Sequence, residues 1–318
     1  MSITADNLKA ARERLAEAQH IALVSHVRPD GDAVCSVLAV GLALQEQGKR
    51  VQMLLSDGAG QGFGYLEGVE QFNRNLDGEP DLVVSLDSAA RDRLGAAIGD
   101  RAVDINLDHH VTNTEFAVIN LVDAESVAAC AVLAEHFPAL GLDISPAVAE
   151  VLMVGILTDT LGFRTSNMTP KALRLAADLM EAGADLAKLY HRSLSQRSFE
   201  ALRYWGAGLS HLQREDGLVW ATLSLDDRKA ARYPGNDDAE LVNVMSTVED
   251  AQLVVLFVQQ SSDEVKISWR SEGHYDVSQI ASQFGGGGHK PAAGAQVSGS
   301  LDEAVEKVLA ATRQAMGL

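Results

Sequence analysis

Cysteine is scarce in this 318-residue chain, which has only Cys35 and Cys130. Neither has a partner at zinc-knuckle or redox spacing, so a disulfide scaffold and a thiolate metal cluster are both excluded. The pair reads as reduced, buried thiols of a cytoplasmic protein. Apolar runs of membrane-spanning length are also missing, and the polar residues 1–14 read as the start of a helix, not as a secretion signal. The third shortage is positive charge. Lys and Arg number 26 against 44 Asp and Glu, for a net charge of −18. Such a chain does not grip long duplex nucleic acid through a broad basic face, nor an extended single strand along a channel. An anionic substrate would need local cations, and bound metal ions are the first candidates.

What is present is 47% apolar content, enough for substantial cores in one large domain or two ordinary ones. In the first half, apolar runs at 21–25, 50–55, 82–86, 103–107 and 117–121 read as short strands. They are nearly continuous, as in strands covered on both faces. Helical patterns occupy 33–47, closed by Gly48, then 126–137 and 145–157. Thr169-Pro170 opens another that ends near Gly183. The alternation predicts an α/β fold with a mostly parallel sheet flanked by helices. Residues 185–208 read as a polar helical connector. Beyond it, strands at 218–225, 252–259, 265–270 and 295–298 and helices at 240–248, 277–284 and Leu301–Met316 predict a second, smaller α/β domain. The expected division is 1–185, a helical linker at 186–214, and 215–318, with the active site in the cleft between the domains.

Four separated segments deliver carboxylate or imidazole at element ends. The first is His26-Val27-Arg28-Pro29-Asp30-Gly31-Asp32, where Gly31 would let the backbone bend so that both carboxylates face one point. The others are Asp87, Asp108-His109-His110 and Asp159. Each alone has an ordinary reading, a turn or a helix cap for the aspartates at 30, 32, 87 and 159 and a solvated loop with backbone-bonded histidines for Asp108-His109-His110. His26, Asp87 and Asp108-His109-His110 fall beyond the carboxyl ends of strands, where open α/β sheets bind ligands. The donors are imidazole and carboxylate without thiolate, which favours Mn²⁺ over Mg²⁺, Co²⁺, Fe²⁺ or Zn²⁺. Two divalent ions would balance Asp30, Asp32, Asp87 and Asp159, activate a water and clamp a phosphoryl oxygen, which points to phosphate-ester hydrolysis. Ser25 and Ser36 have no evident base and read as structural.

The run of four glycines before His289-Lys290-Pro291 reads as a loop whose exposed N–H groups suit a phosphate or carboxylate. It is not a Walker loop, which needs Gly-Lys-Ser/Thr. The plainer reading is a hairpin. His289 can donate to a phosphate, and Arg270 can clamp one. Arg28 and Arg164, within the metal motifs, can help hold anions or serve as exposed solubilising charge.

The set His26–Asp30–Asp32, Asp87, Asp108-His109-His110 and Asp159 resembles the Asp-His-His (DHH) phosphoesterases. The tail from Phe284 through the four glycines, His289 and on to Gly294 is similar to the glycine-rich signature of their associated C-terminal domain. Length and motif order resemble the nano-RNase group, bifunctional oligoribonucleases and pAp phosphatases. The resemblance implies one Mn²⁺ on His26, Asp30 and Asp87, and a second on Asp32, Asp87, His109 and Asp159, with Asp87 bridging. It implies that His110 lies beside the substrate phosphate, with Asp87 and His109 as its catalytic companions. It also implies that Arg270, Gly286, Gly287, Gly288 and His289 hold a terminal phosphate or sugar, with a weaker contact from Asn167. The implied substrates are RNAs a few nucleotides long, linear dinucleotides and 3′-phosphoadenosine-5′-phosphate. Cyclic or linear dinucleotide hydrolysis is the alternative, and pyrophosphate or polyphosphate hydrolysis a more distant one. No membrane partner is implied, and a homodimer stays open. One departure stands out: Cys35 occupies the place of a glycine in the family's Asp-Gly-Asp-Ala-x-Gly-Ser, which leaves the ligands intact but bears on helix packing beside them.

Overall fold

The structure, a computed structural model, describes residues 3–318 except His274. The first two residues of the expected N-terminal helix start lie outside the described residues. The chain divides into two units, Met1–Gln196 and Arg197–Leu318.

The first unit runs α1 (Ala5–Glu17), β1 (His20–Val24), α2 (Gly31–Glu46), β2 (Arg50–Leu54), β3 (Leu82–Leu86), β4 (Ile105–Asp108) and β5 (Ile119–Val122). It continues with α3 (Ala129–His136), α4 (Pro146–Asp159), α5 (Pro170–Glu181) and α6 (Leu186–Tyr190). The sheet has the order β2-β1-β3-β4-β5. Every pairing is parallel. Leu82-Val83-Val84-Ser85-Leu86 is buried at every position, as the unbroken apolar run requires. Two helices are apolar nearly all round and pack against one another. In α2 every residue from Gly31 to Leu44 is buried, and α4 is buried from Val148 to Leu157 apart from Glu150. Ser145 caps α4 by accepting from Val148 N at 3.4 Å, and Thr169 caps α5 from Ala172 N at 3.2 Å, with proline in the first turn of each helix. From β1 the chain crosses to β2 on one side and then to β3 on the other. The switch point of this strand order therefore lies between β1 and β3, where a crevice opens at the carboxyl ends.

The second unit comprises α7 (Phe199–Ser210), β6 (Gln213–Glu215), β7 (Leu218–Leu223), α8 (Leu225–Ala231), α9 (Leu241–Met245), β8 (Leu253–Ser261) and β9 (Glu264–Ser271). Then follow α10 (Val277–Ser282), β10 (Gly287–His289), β11 (Ala292–Ser298) and α11 (Leu301–Met316). Its sheet has the order β10-β11-β9-β8-β7-β6 and is antiparallel except for the β7–β8 pair. Each face carries its own core. Trp269, Phe257 and Val308 lie on one side. Tyr204, Leu223 and Leu256 lie on the other.

Two expectations need correcting, and two elements went unforeseen. The stretch 186–214 is largely helical as expected but is not a linker apart from the two units, because Leu189 is buried in the first unit's core and Tyr204 in the second's. Strand β6 and helix α8 carry no apolar pattern to announce them; β6 is exposed at all its positions. The glycine run is not a bare loop. Gly285 and Gly286 donate their N–H groups to Ser282 O and Ala281 O, closing α10, and Gly287–His289 pairs with β11.

Candidate metal centre

His26 lies two residues beyond β1 and Asp87 directly follows β3, so adjacent strands place them on either side of the switch point. Asp108 ends β4, and His109 and His110 follow it. Asp30 is the N-cap of α2, accepting from Ala33 N at 3.0 Å, and Asp32 sits in that helix's first turn. Asp159 is the last residue of α4. The geometry gathers all of these. His26 Nε2 lies 3.9 Å from Asp30 Oδ1 and 3.6 Å from Asp87 Oδ2. His109 Nε2 lies 3.9 Å from Asp32 Oδ2, 3.6 Å from Asp87 Oδ1 and 3.6 Å from Asp159 Oδ2. Asp87 thus turns one oxygen to each imidazole. His26, Asp30 and Asp87 form one group with ligand atoms within 4.8 Å of each other; Asp32, His109 and Asp159 form another, and Asp87, His109 and His110 a third.

The Nδ1 atoms explain why the Nε2 atoms face inward. His26 Nδ1 donates to Val27 O at 3.0 Å and His109 Nδ1 to Ser126 O at 3.4 Å. A carbonyl on one ring nitrogen fixes the tautomer and leaves the other nitrogen's lone pair for a cation. His110 is held differently, with Nδ1 donating to Asp108 Oδ1 at 2.7 Å.

Two helix ends are brought together by small residues. A Cβ on Gly31 would stand 2.3 Å from Thr158 Oγ1, and one on Gly155 would meet Cys130 Sγ at 2.2 Å. Gly31 has no left-handed backbone angle, so its role is close packing of α2 on α4, not the bend expected from the sequence. Asp32 in turn serves α3, whose N-cap Ala128 has no side-chain acceptor. Ala129 N donates to Asp32 Oδ2 at 2.6 Å and Cys130 N to Oδ1 at 3.0 Å, so the helix N-terminus helps hold the carboxylate's charge. Cys35 and Cys130 are both free and buried. Burial, with the charges of Asp32 and Asp30, pushes the Cys35 thiol well up.

Burial and mutual repulsion set the electrostatics of these carboxylates. Burial and the charges of Asp32 and Asp30 push Asp87 well above the usual carboxylate range, against the pull of His110. Burial and the same two charges raise Asp159 to about 8. Burial also raises Asp32, with His109 opposing. For Asp108, burial is outweighed by hydrogen bonds from His110 and Asn113, which hold it below its ordinary value. The hydrogen bond to Asp108 raises His110 to about 9. Asp87 Oδ1 is buried with no hydrogen-bond partner. Asp87 also adopts φ +54°, and Arg28, Leu161 and Phe163, each within four residues of another candidate ligand in sequence, are likewise left-handed, as are six non-glycine residues elsewhere among those described. Each such residue costs about 1–3 kcal/mol, and such strain clusters at functional sites. A buried, partnerless carboxylate oxygen among further carboxylates and inward-facing imidazoles fits divalent cations.

The remaining candidates sit elsewhere. Asn167 is exposed in the turn between α4 and α5. Arg164 donates Nε to Leu161 O at 2.9 Å and is exposed. Arg28 is exposed, with its N–H donating to Asp57 Oδ2 at 2.6 Å. In the second unit, the register places His289 opposite Ala292 and Ala292 opposite Arg270. The three therefore share one face of the sheet, with His289 and Arg270 about 10 Å apart across two strand spacings. Arg270 is partly buried, which lowers its pKa; its Nε donates to Asn243 Oδ1 at 3.3 Å, and it has no carboxylate ion pair among the described residues. Gly286 and Gly288 are required by packing: a Cβ would meet Gly294 O at 2.2 Å or Ala292 O at 2.5 Å. Sequence reasoning missed Asn113, Ser126 and Thr158, which touch Asp108, His109 and Gly31 through hydrogen bonds or packing and carry no metal-binding chemistry of their own to mark them.

Known proteins share this architecture. The pattern of the DHH family, N-terminal domain, matches residues 20–156, and that of the DHHA1 domain matches 230–317. A relative from Thermus thermophilus, named bifunctional oligoribonuclease and PAP phosphatase NrnA, is 33% identical over 92% of this chain and 89% of its own. The crystal structure of an exopolyphosphatase-related protein from Bacteroides fragilis has the same fold, with a TM-score of 0.91 at 24% identity, covering 98% of this chain and 97% of that one. RecJ in complex with Mn²⁺, from Thermus thermophilus, shares the fold at a TM-score of 0.57 and 17% identity, over 99% of this chain and 55% of RecJ. No helix among the described residues is long and apolar enough to cross a membrane. With both domain patterns matched and a relative aligned over nearly its full length, the chain belongs to the DHH family of phosphoesterases and carries a DHHA1 domain as its second unit.

Proposed function

We propose that this protein hydrolyses short oligoribonucleotides and dinucleotides to mononucleotides and removes a phosphate from 3′-phosphoadenosine-5′-phosphate, with two divalent ions, Mn²⁺ for preference. The observation that carries the substrate class is the match, over 92% of this chain, to the relative named for those two activities. His26, Asp30 and Asp87 would hold one ion, and Asp32, Asp87, His109 and Asp159 the other. Ions bound there supply positive charge for the phosphoryl oxygens and lower the pKa of a water. The chain's own residues do the rest. Asp87 serves both ligand groups because its two oxygens point apart, to His26 and to His109. Carbonyl groups behind His26 and His109 keep their Nε2 lone pairs directed inward. His110, tied at Nδ1 to Asp108, offers its other nitrogen to a phosphoryl oxygen as charge develops there.

In the second unit, the sheet face bearing His289, Ala292 and Arg270 sets a small residue between two donors. It suits a terminal phosphate or sugar of a small nucleotide, with Gly286, Gly287 and Gly288 forming the glycine edge beside it. Net charge of −18 argues against long nucleic acid as substrate. The test is direct. Purified protein loaded with Mn²⁺ is given a linear dinucleotide, 3′-phosphoadenosine-5′-phosphate, cyclic di-AMP and pyrophosphate side by side. Mononucleotide from the first two at the highest rates is expected. Pyrophosphate turnover with the nucleotides left intact would overturn the reading.

A further inference from the structure

We infer that Asn113 is a positioning residue for His110, acting through the carboxylate of Asp108. The inference rests on the phosphoesterase reading of the centre. Asn113 lies in the turn after β4, and its backbone N–H donates to His110 O at 3.1 Å. Its side-chain amide is fully engaged. Nδ2 donates to Asp108 Oδ2 at 2.6 Å and to Ser88 O at 3.1 Å, and Oδ1 accepts from Glu115 N at 2.7 Å. Those partners fix the amide's orientation, because the flipped form would set oxygen against a carboxylate and a carbonyl.

Asp108 is wholly buried. With Oδ2 committed to Asn113, Oδ1 is the oxygen left for His110 Nδ1, at 2.7 Å. The Ser88 carbonyl follows Asp87, so one amide bridges the loops that leave β3 and β4. Asp108 therefore stands between two donors. Removing Asn113 leaves one buried carboxylate oxygen unpaired, and the carboxylate turns to recover a partner. His110 then loses the fixed acceptor that aims its far nitrogen. Asn113 touches no reacting atom in this account. Its influence passes through Asp108 to the imidazole.

The experiment uses the Mn²⁺-loaded protein on a linear dinucleotide and compares Asn113→Ala, His110→Ala and the double variant. Asn113→Ala is expected to lower kcat about 10–100-fold, the range for partners one step behind a functional imidazole, with KM within about twofold. The double variant is expected to be no slower than His110→Ala, because both changes remove the same interaction. Multiplying effects would overturn the inference. A readout independent of turnover is the hydrogen-bonded Nδ1 proton of His110 in the nuclear magnetic resonance spectrum of the metal-free protein, identified by its absence in His110→Ala. It is expected to vanish or shift upfield in Asn113→Ala, and an unchanged resonance overturns the inference. Asn113→Ser, which keeps a local acceptor for Glu115 N but lacks the reach to Asp108, replaces the alanine variant should that one not fold. A wild-type protein that hydrolyses no phosphoester sinks the functional reading instead, and the resonance then decides the role of Asn113 alone.

Discussion

Gly31 and Thr158 stand so close that a single methyl carbon on the glycine would lie 2.3 Å from the threonine hydroxyl oxygen. The threonine has nowhere to go, since Oγ1 donates back to Val154 O and Gly155 O at 3.0 Å each. Gly31 separates Asp30 from Asp32, and Thr158 precedes Asp159, so this contact sets the distance between carboxylates on two helices. Gly31→Ala should weaken Mn²⁺ binding at least tenfold in a calorimetric titration. It should also cost about 1–3 kcal/mol of stability in denaturant, the range for overpacking. Gly206→Ala is the control. Gly206 lies on α7 with open space around it and no left-handed φ, and alanine there should add about 0.5–1 kcal/mol. Mn²⁺ affinity at the wild-type level in Gly31→Ala would mean that the contact does not set the site.

Without metal, the same carboxylates make the protein sensitive to alkali. Burial and the charges of Asp32 and Asp30 raise Asp159 from 3.8 to about 8. An acid raised on folding keeps a proton that the unfolded chain releases, so its contribution to stability is complete below 3.8 and disappears as pH rises through about 8. In the presence of chelator, the melting midpoint of Asp159→Asn minus that of wild type should therefore grow between those two pH values. A difference constant with pH would contradict the raised acid. Saturating Mn²⁺ should invert the trend, because a divalent charge turns the penalty into a stabilisation that the asparagine variant lacks.

Much of this was legible in the sequence for physical reasons. Strands buried on both faces leave nearly unbroken apolar runs, so β1 and β3 were readable to within a residue, and the edge strand β2 was readable from its Val51, Met53 and Leu54 alone. Polar residues at the ends of such runs must lie beyond the carboxyl edge of a parallel sheet, which placed His26, Asp87 and Asp108 together. The roles of Gly31, Gly286 and Gly288 were not legible, because a glycine needed for close packing looks the same as one needed for a bend or an anion nest. Asn113 and Ser126 act through hydrogen bonds set by tertiary geometry, one of them through a main-chain carbonyl that has no residue identity. The linker was misjudged because α6 and α7 each carry a modest apolar face, and which core receives it depends on the fold.

The sheet face of the second unit that bears His289, Ala292 and Arg270 makes its own prediction. His289 and Arg270 flank Ala292 across three strands. His289→Ala should raise KM for a dinucleotide bearing a terminal phosphate more than it lowers kcat, since it removes binding common to ground state and transition state. Ala292→Leu should act in the same sense by setting a bulky side chain between the two donors. Steady-state kinetics on the dinucleotide and on a phosphodiester lacking the terminal phosphate separate the cases. Equal losses on both substrates would count against a gripping role for this face.

Asp87 carries the sharpest trade between stability and chemistry. Its carboxylate is buried, one oxygen has no hydrogen-bond partner, and the charges of Asp32 and Asp30 oppose its ionisation. Asparagine has nearly the same shape and is among the residues that tolerate a left-handed backbone such as the φ of +54° found here. In chelator, at a pH high enough to ionise the buried acid, Asp87→Asn should therefore unfold at a higher denaturant concentration than wild type, because a neutral amide replaces an uncompensated charge. Saturating Mn²⁺ should invert the order. An ion at a hundred times its dissociation constant adds about 2.7 kcal/mol to a protein that binds it only when folded, and the variant has lost the one carboxylate facing both imidazoles. Hydrolysis of a dinucleotide by the variant should fall to the limit of detection. If metal stabilises both proteins alike, Asp87 is not shared between two cations, and the pairing of its oxygens with His26 and His109 is a packing detail.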